Sequence, residues 1–183
     1  MRSYMADSFF DSLADLDPTD QARITSATRD FRRNPDTMGA RYHRLDNAQD
    51  DRFWSLRASR DLRVIVFQDG DVRAFLYADH HDAAYRWAER HEFELNAATG
   101  AMQIVQVEET VREVEKEIER HTYVGRRLFD QYDDDYLMAV GVPERWLDAV
   151  KATREDGLVH LIDHLPEEAL ENLIKLADGQ PVP

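Results

Sequence analysis

The chain has 183 residues, 43% apolar and 33% charged, which suits one ordinary domain or a small domain with an extension; with no cysteine, it has no disulfide framework, thiolate metal site or cysteine nucleophile. No run approaches the roughly 18 apolar residues of a membrane helix, and the N-terminus lacks a basic-then-apolar leader, so a cytoplasmic location without membrane contact is expected. The net charge of −14 divides into −4 over residues 1–100 and −10 over residues 101–183; this disfavours broad nonspecific nucleic-acid binding but permits a local basic groove in the first part, whose 14 basic residues are all arginine.

Phe9, Phe10, Leu13 and Leu16 recur at helical spacing and predict a first helix. Asp17-Pro18-Thr19-Asp20 then supplies an N-cap, a first-turn proline and a first-turn acid for a second, which buries Ile24, Ala27 and Phe31 and stops near Asn34-Pro35. Three strand-like runs follow at Phe53–Ala58, Leu62–Gln68 and Val72–Ala78, the last two joined by Asp69-Gly70, a type I′ hairpin signal. A short strand around Ser3–Met5 is weakly signalled. Asp79–Phe93 returns to helical spacing through Ala83, Ala84, Trp87 and Ala88.

The polar stretch Asn96–Gly100 marks a boundary, giving a first domain over residues 1–100 and an acidic helical extension over 101–183, with Ala101–Val107 as a connecting or edge strand. Val107, Val111, Val114 and Ile118 form an apolar stripe on a helix whose other faces carry glutamates, a pattern that suits packing on its own domain or, as the alternative, a partner helix. Gly141-Val142-Pro143 separates two short helices, Asp133-Asp134-Asp135 caps one of them, and Pro166-Glu167-Glu168 opens the last. The expected class is α+β: an antiparallel sheet with two N-terminal helices, followed by an α-helical extension.

The residues with chemical potential cluster in Trp54-Ser-Leu-Arg57-Ala-Ser-Arg60-Asp-Leu-Arg63 and in Asp79-His80-His81-Asp82-Ala-Ala-Tyr85. This ordered set, within residues 5–95, resembles the RelE/ParE toxin superfamily. In that family an aromatic strand leads to an arginine opening the central strand, and a final strand ends in a histidine or arginine pair with a tyrosine soon after. The resemblance implies a metal-independent endoribonuclease ancestry. Such chemistry activates a ribose 2′-hydroxyl, stabilises the phosphorane and protonates the leaving oxygen. Arg63, with Arg57 nearby, would hold the phosphate; His81 or His80 and Tyr85 would act as acid, base or positioning groups.

The same residues also have structural readings. Asp61 and Asp79 are available to pair with Arg63, Tyr85 and Trp87 suit helix-to-sheet packing, and the histidines suit strand and helix ends. The chain departs from strongly active nucleases of the family: lysines often found before the central arginine are replaced by Ser55 and Arg57, and Asp79 and Asp82 flank the histidines. His80, His81 and Asp82 lack the spacing of a metal site, and no cofactor is expected.

A second resemblance spans most of residues 5–179. Leu137 to Gly141-Val142-Pro143 and Trp146-Leu147, followed by His164-Leu165-Pro166, is similar to the RelE-like N-terminal extension of some bacterial superfamily-one DNA helicases. It implies a toxin-derived module, non-catalytic or weakly active, that serves protein interaction or regulation of a DNA-processing partner. The implied partners are a helicase motor or an antitoxin-like protein. The alternative is a ribosome-dependent endoribonuclease acting on messenger RNA.

Overall fold

The computed structural model describes residues 1–121 and 125–182 and divides the chain into two compact units, residues 1–91 and 92–183. In the first unit the elements run β1 (Arg2–Met5), α1 (Asp7–Ala14), α2 (Pro18–Arg33), β2 (Tyr42–Arg44), β3 (Phe53–Arg57), β4 (Leu62–Asp69), β5 (Val72–His80) and α3 (His81–Arg90). The α2 start follows its sequence signals: Pro18 occupies the first turn, and the Asp17 carboxylate accepts the Asp20 N–H at 2.9 Å.

The sheet order is β1-β5-β4-β3-β2. Strands β3 to β5 are antiparallel neighbours as expected, β2 adds a further antiparallel strand beside β3, and β1 adds a parallel strand on the β5 edge. Strand β2 has only three residues and no alternation long enough to announce it. Residues Asp69 and Val72 are paired, so the two-residue turn is Gly70-Asp71, with positive φ at Gly70 alone. A positive φ at only the first central position belongs to type II′, which corrects the type I′ expectation.

Helices α1 and α2 cover one sheet face, where Phe9, Ile24, Phe31, Leu56, Leu62, Val64, Val66 and Phe75 form the core. Helix α3 covers the other, with Ala84 and Ala88 buried. A bulge makes this two-faced arrangement consistent. Ile65 faces Tyr77 but Val66 faces Phe75, so Leu76 is the extra residue. Without it Phe75 would share the α3 face with Tyr77 and Asp79; with it, Phe75 turns into the α1/α2 core.

In the second unit, β6 (His91–Leu95) pairs with β7 (Met102–Gln106), followed by α4 (Glu108–His121), α5 (Asp134–Ala139), α6 (Leu147–Ala152) and α7 (Glu167–Ala177). The polar stretch Asn96–Gly100, read as a boundary, is the turn of this hairpin, while the division between units falls at His91/Glu92. The helical reading of Asp79–Phe93 is shortened at both ends, since β5 continues to His80 and β6 begins at His91. Val111, Val114 and Ile118 of α4 enter a core with Phe129, Leu137, Trp146, Leu161 and Leu173. Asp133 caps α5 by accepting the Tyr136 N–H at 2.8 Å.

Among the described residues, no helix is long and apolar enough to cross a membrane.

Candidate functional site

Strand register assigns each candidate residue to a face. Arg57 on β3 stands directly opposite Arg63 on β4, and Arg63 is opposite Asp79 on β5. One row along, His43 faces Ser55, which faces Ile65, which faces Tyr77. Both rows lie on the α3 side of the sheet. Trp54 pairs with Val66 and packs against the opposite core, stacked on Tyr42 at 4.9 Å.

Like charges directly opposite on neighbouring strands are unfavourable, so the Arg57–Arg63 juxtaposition calls for local compensation. It comes from backbone carbonyls. Arg63 Nη1 donates to the oxygens of Ser59 (3.0 Å), Arg60 (3.2 Å) and Leu62 (2.9 Å), and Arg57 Nε donates to Ser59 O at 3.3 Å. The β3–β4 turn thus holds both guanidinium groups. Among the described residues neither has a carboxylate partner. Asp79, although in register with Arg63, instead accepts from the Tyr77 hydroxyl at 3.2 Å and the His80 N–H at 2.7 Å. Burial and the Asp79 charge together push the Tyr77 phenol above its usual range.

The two histidines are separated. His80 is in register with Leu62, on the α1/α2 side, where its Nε2 lies 3.6 Å from Asp20 and its Nδ1 3.3 Å from Asp79. His81 opens α3, its N–H donating to Asp61 O at 2.7 Å, which seats it beside the turn that holds Arg63. Its ring packs on Tyr85 with centroids 4.2 Å apart, and its Nδ1 lies 2.8 Å from Asp82. That hydrogen bond holds the exposed Asp82 carboxyl below its usual range.

One helical turn along, the Tyr85 hydroxyl lies 3.3 Å from His43 Nε2 and 3.4 Å from the Oγ of the fully buried Ser55. The structure therefore gathers Arg57, Arg63, His81 and Tyr85 on one face, leaves His80 on the other, and adds His43 and Ser55. His43 escaped the sequence reading because it sits on a three-residue strand far from the other groups in the chain. Trp87, by contrast, is packing: it stacks on Tyr77 at 4.8 Å and on His91 at 4.3 Å.

Beside Tyr85 is an open cleft of about 160 Å³, lined by residues 43–48 together with Tyr85, Ala88 and Glu89. Among the described residues, no cluster of three metal-ligating side chains is present. Chemically, the face offers two fixed cations, a phenol shared between an imidazole and a hydroxyl, and a second imidazole on a carboxylate.

No family model and no curated protein matches the chain. Solved structures similar to part of it include two toxin structures. One is the RelBE2 toxin–antitoxin complex from Mycobacterium tuberculosis, at 18% identity and a TM-score of 0.37, covering 44% of this chain and 96% of that one. The other is the YoeB/ParE toxin from Agrobacterium tumefaciens, at 17% identity and a TM-score of 0.37, covering 44% of this chain and 99% of that one.

Proposed function

We propose that the first unit is a RelE/ParE-type, toxin-derived module that holds a single-stranded RNA segment on its α3 face and acts by binding rather than by rapid cleavage. The observation that carries this reading is the Arg57–Arg63 pair: two arginines opposite each other in register, their guanidinium groups bonded to turn carbonyls and, among the described residues, to no carboxylate. Planar, permanently charged donors held in that way suit a phosphodiester. Against fast catalysis, the His81 ring is tied to Asp82, and His80 lies on the other face. The second unit, with its acidic composition, would dock a protein partner of the antitoxin or DNA-processing kind, a helicase motor included.

A second reading, a ribosome-dependent endoribonuclease, is favoured by the 3.3 Å approach of Tyr85 to His43, a pair able to move a proton near the arginines. Programmed ribosomes incubated with the purified chain separate the two. The binding reading predicts uncut messenger RNA and retained RNA affinity. Cleavage that disappears in His43→Ala and Tyr85→Phe variants would establish the enzyme instead.

A further inference from the structure

The five-stranded sheet leaves part of one edge open. In β1 the Arg2 N–H donates to Asp71 O of the turn before β5, and just past the strand the Ala6 N–H donates to Phe75 O, each at 2.9 Å. Alternation then turns the N–H and C=O of Ser3 and Met5 away from β5, and among the described residues nothing pairs with them. Where β1 ends, α1 covers the rest of that edge: Ser8 Oγ donates to Leu76 O, and Ser12 Oγ accepts the Ala78 N–H. At the opposite edge the Tyr42 N–H of β2 is turned to Gly39 O. The Ser3–Met5 stretch has neither kind of cover. An open edge is a template for another strand, and natural edges guard against this with lysine, proline or a bulge; β1 is short but has none of the three.

We propose that β1 is a dimer edge, paired antiparallel with β1 of a second copy about a two-fold axis at Tyr4. The open groups are self-complementary. With Tyr4 opposite Tyr4, Ser3 of each copy faces Met5 of the other, so every open N–H meets an open C=O. The charges match in the same register. Arg2 comes opposite Ala6 of the second copy, next to Asp7, which opens α1, is exposed and has no side-chain partner among the described residues. Arg32, whose Nε donates to Ser3 Oγ at 3.0 Å, is carried toward that same acidic start of α1.

The rings match as well. Tyr4 is in register with Ala74, on the α3 side of the sheet, and is 56% exposed. At the axis it forms a non-hydrogen-bonded pair with its own copy, Cα atoms about 4.5 Å apart and side chains in contact. An extended peptide of unrelated sequence supplies the main-chain bonds but neither the ring nor the reciprocal carboxylates. Because the axis is perpendicular to the sheet, both α3 faces, each with its Arg57–Arg63 pair, lie on the same side of the joined sheet. The pairing stands independently of the RNA-holding reading.

Sedimentation velocity of the full-length protein up to about 100 μM tests the inference, with a concentration-dependent dimer in the micromolar range expected from so small an interface. Ser3→Pro deletes an outward N–H but no bond to β5, and Tyr4→Glu sets two carboxylates against each other at the axis. Each is expected to weaken the dimer about tenfold while circular dichroism stays that of the parent chain. The chain has no cysteine, so an introduced thiol reports only its own encounters. Under mild oxidation Tyr4→Cys is expected to form a disulfide-linked dimer about tenfold faster than Asn47→Cys, an exposed position just past β2 at the other edge. A chain that stays monomeric at about 100 μM overturns the second copy as occupant and leaves the edge to a strand of another protein. A dimer indifferent to Ser3→Pro and Tyr4→Glu, with equal cross-linking at the two thiol positions, puts the contact elsewhere and overturns the edge pairing.

Discussion

Arg57 and Arg63 stand directly opposite each other on β3 and β4, and Ser59 O, in the turn between them, accepts a hydrogen bond from each. The two cations are thereby fixed in a place where their mutual repulsion works against the fold. A position that costs stability and offers charge to solvent separates function from folding, because the two respond in opposite directions to the same substitution. Arg57→Thr is expected to leave thermal stability unchanged or raise it, by up to about 0.5 kcal/mol, within the range of cross-strand pair effects. Melting curves of the variant and the parent chain check this. Arg63→Ala is expected to lower stability instead, since Arg60 O loses its donor and Ser59 O and Leu62 O each lose one of theirs.

The Tyr85 hydroxyl is the hydrogen-bond partner of a fully buried Ser55 Oγ. Tyr85→Phe is expected to destabilise the first unit by about 1 kcal/mol, the low end of the penalty for a buried polar atom left unpaired. Adding Ser55→Ala should recover part of that loss, a coupling that a double-mutant cycle in denaturant measures.

Much of the first unit was legible in the chain because its signals are local. Asp17-Pro18 fixes the start of α2, and two alternating runs with a branched apolar run between them fix β3, β5 and β4 within a residue or two. What escaped depends on long-range pairing. Strand β2 exists because Tyr42 and Arg44 pair with Leu56 and Trp54 and has no period of its own, while the short alternation of Glu92-Phe93-Glu94-Leu95 becomes a strand, β6, by meeting β7. The site shows the same division. Arg57, Arg63, His81 and Tyr85 share a face, whereas adjacent residues on a strand point to opposite sides, which sends His80 toward Asp20. His43 came into view only through sheet register.

In the second unit, Asn96 is buried at the hairpin turn. Its amide donates to Met138 O at 3.1 Å and Val142 O at 3.3 Å, and its carbonyl accepts the N–H groups of Ala98 and Thr99. Asn96→Ala takes the side-chain donor from Val142 O, removes one of the donors to Met138 O and frees the turn N–H groups of Ala98 and Thr99, and a loss of about 2 kcal/mol is expected. The measurement is denaturant unfolding followed by Trp146 fluorescence.

His164 gives the second unit a pH dependence. Burial holds its imidazole below the ordinary value, with its Nδ1 2.7 Å from Gln106 Oε1 and its ring stacked on Trp146. Above the unfolded value of about 6.5 both states are neutral and His164 contributes no pH dependence. As the pH falls below it, the unfolded chain binds the proton more readily, so stability is lost on acidification, down to the lower folded value. Comparing melting temperatures at pH 8 and pH 5.5 for the parent chain and His164→Gln is expected to show a smaller acid-induced drop in the variant.

The most direct test of the arginine face is RNA affinity as a function of salt. A labelled single-stranded RNA titrated with the full-length protein over a series of salt concentrations is expected to bind with an affinity that falls as salt rises. Arg57→Thr should weaken binding and reduce the slope of log affinity against log salt by about one, the signature of one lost phosphate contact. An affinity and slope identical to those of the parent chain would contradict the proposal that the Arg57–Arg63 face holds a phosphodiester.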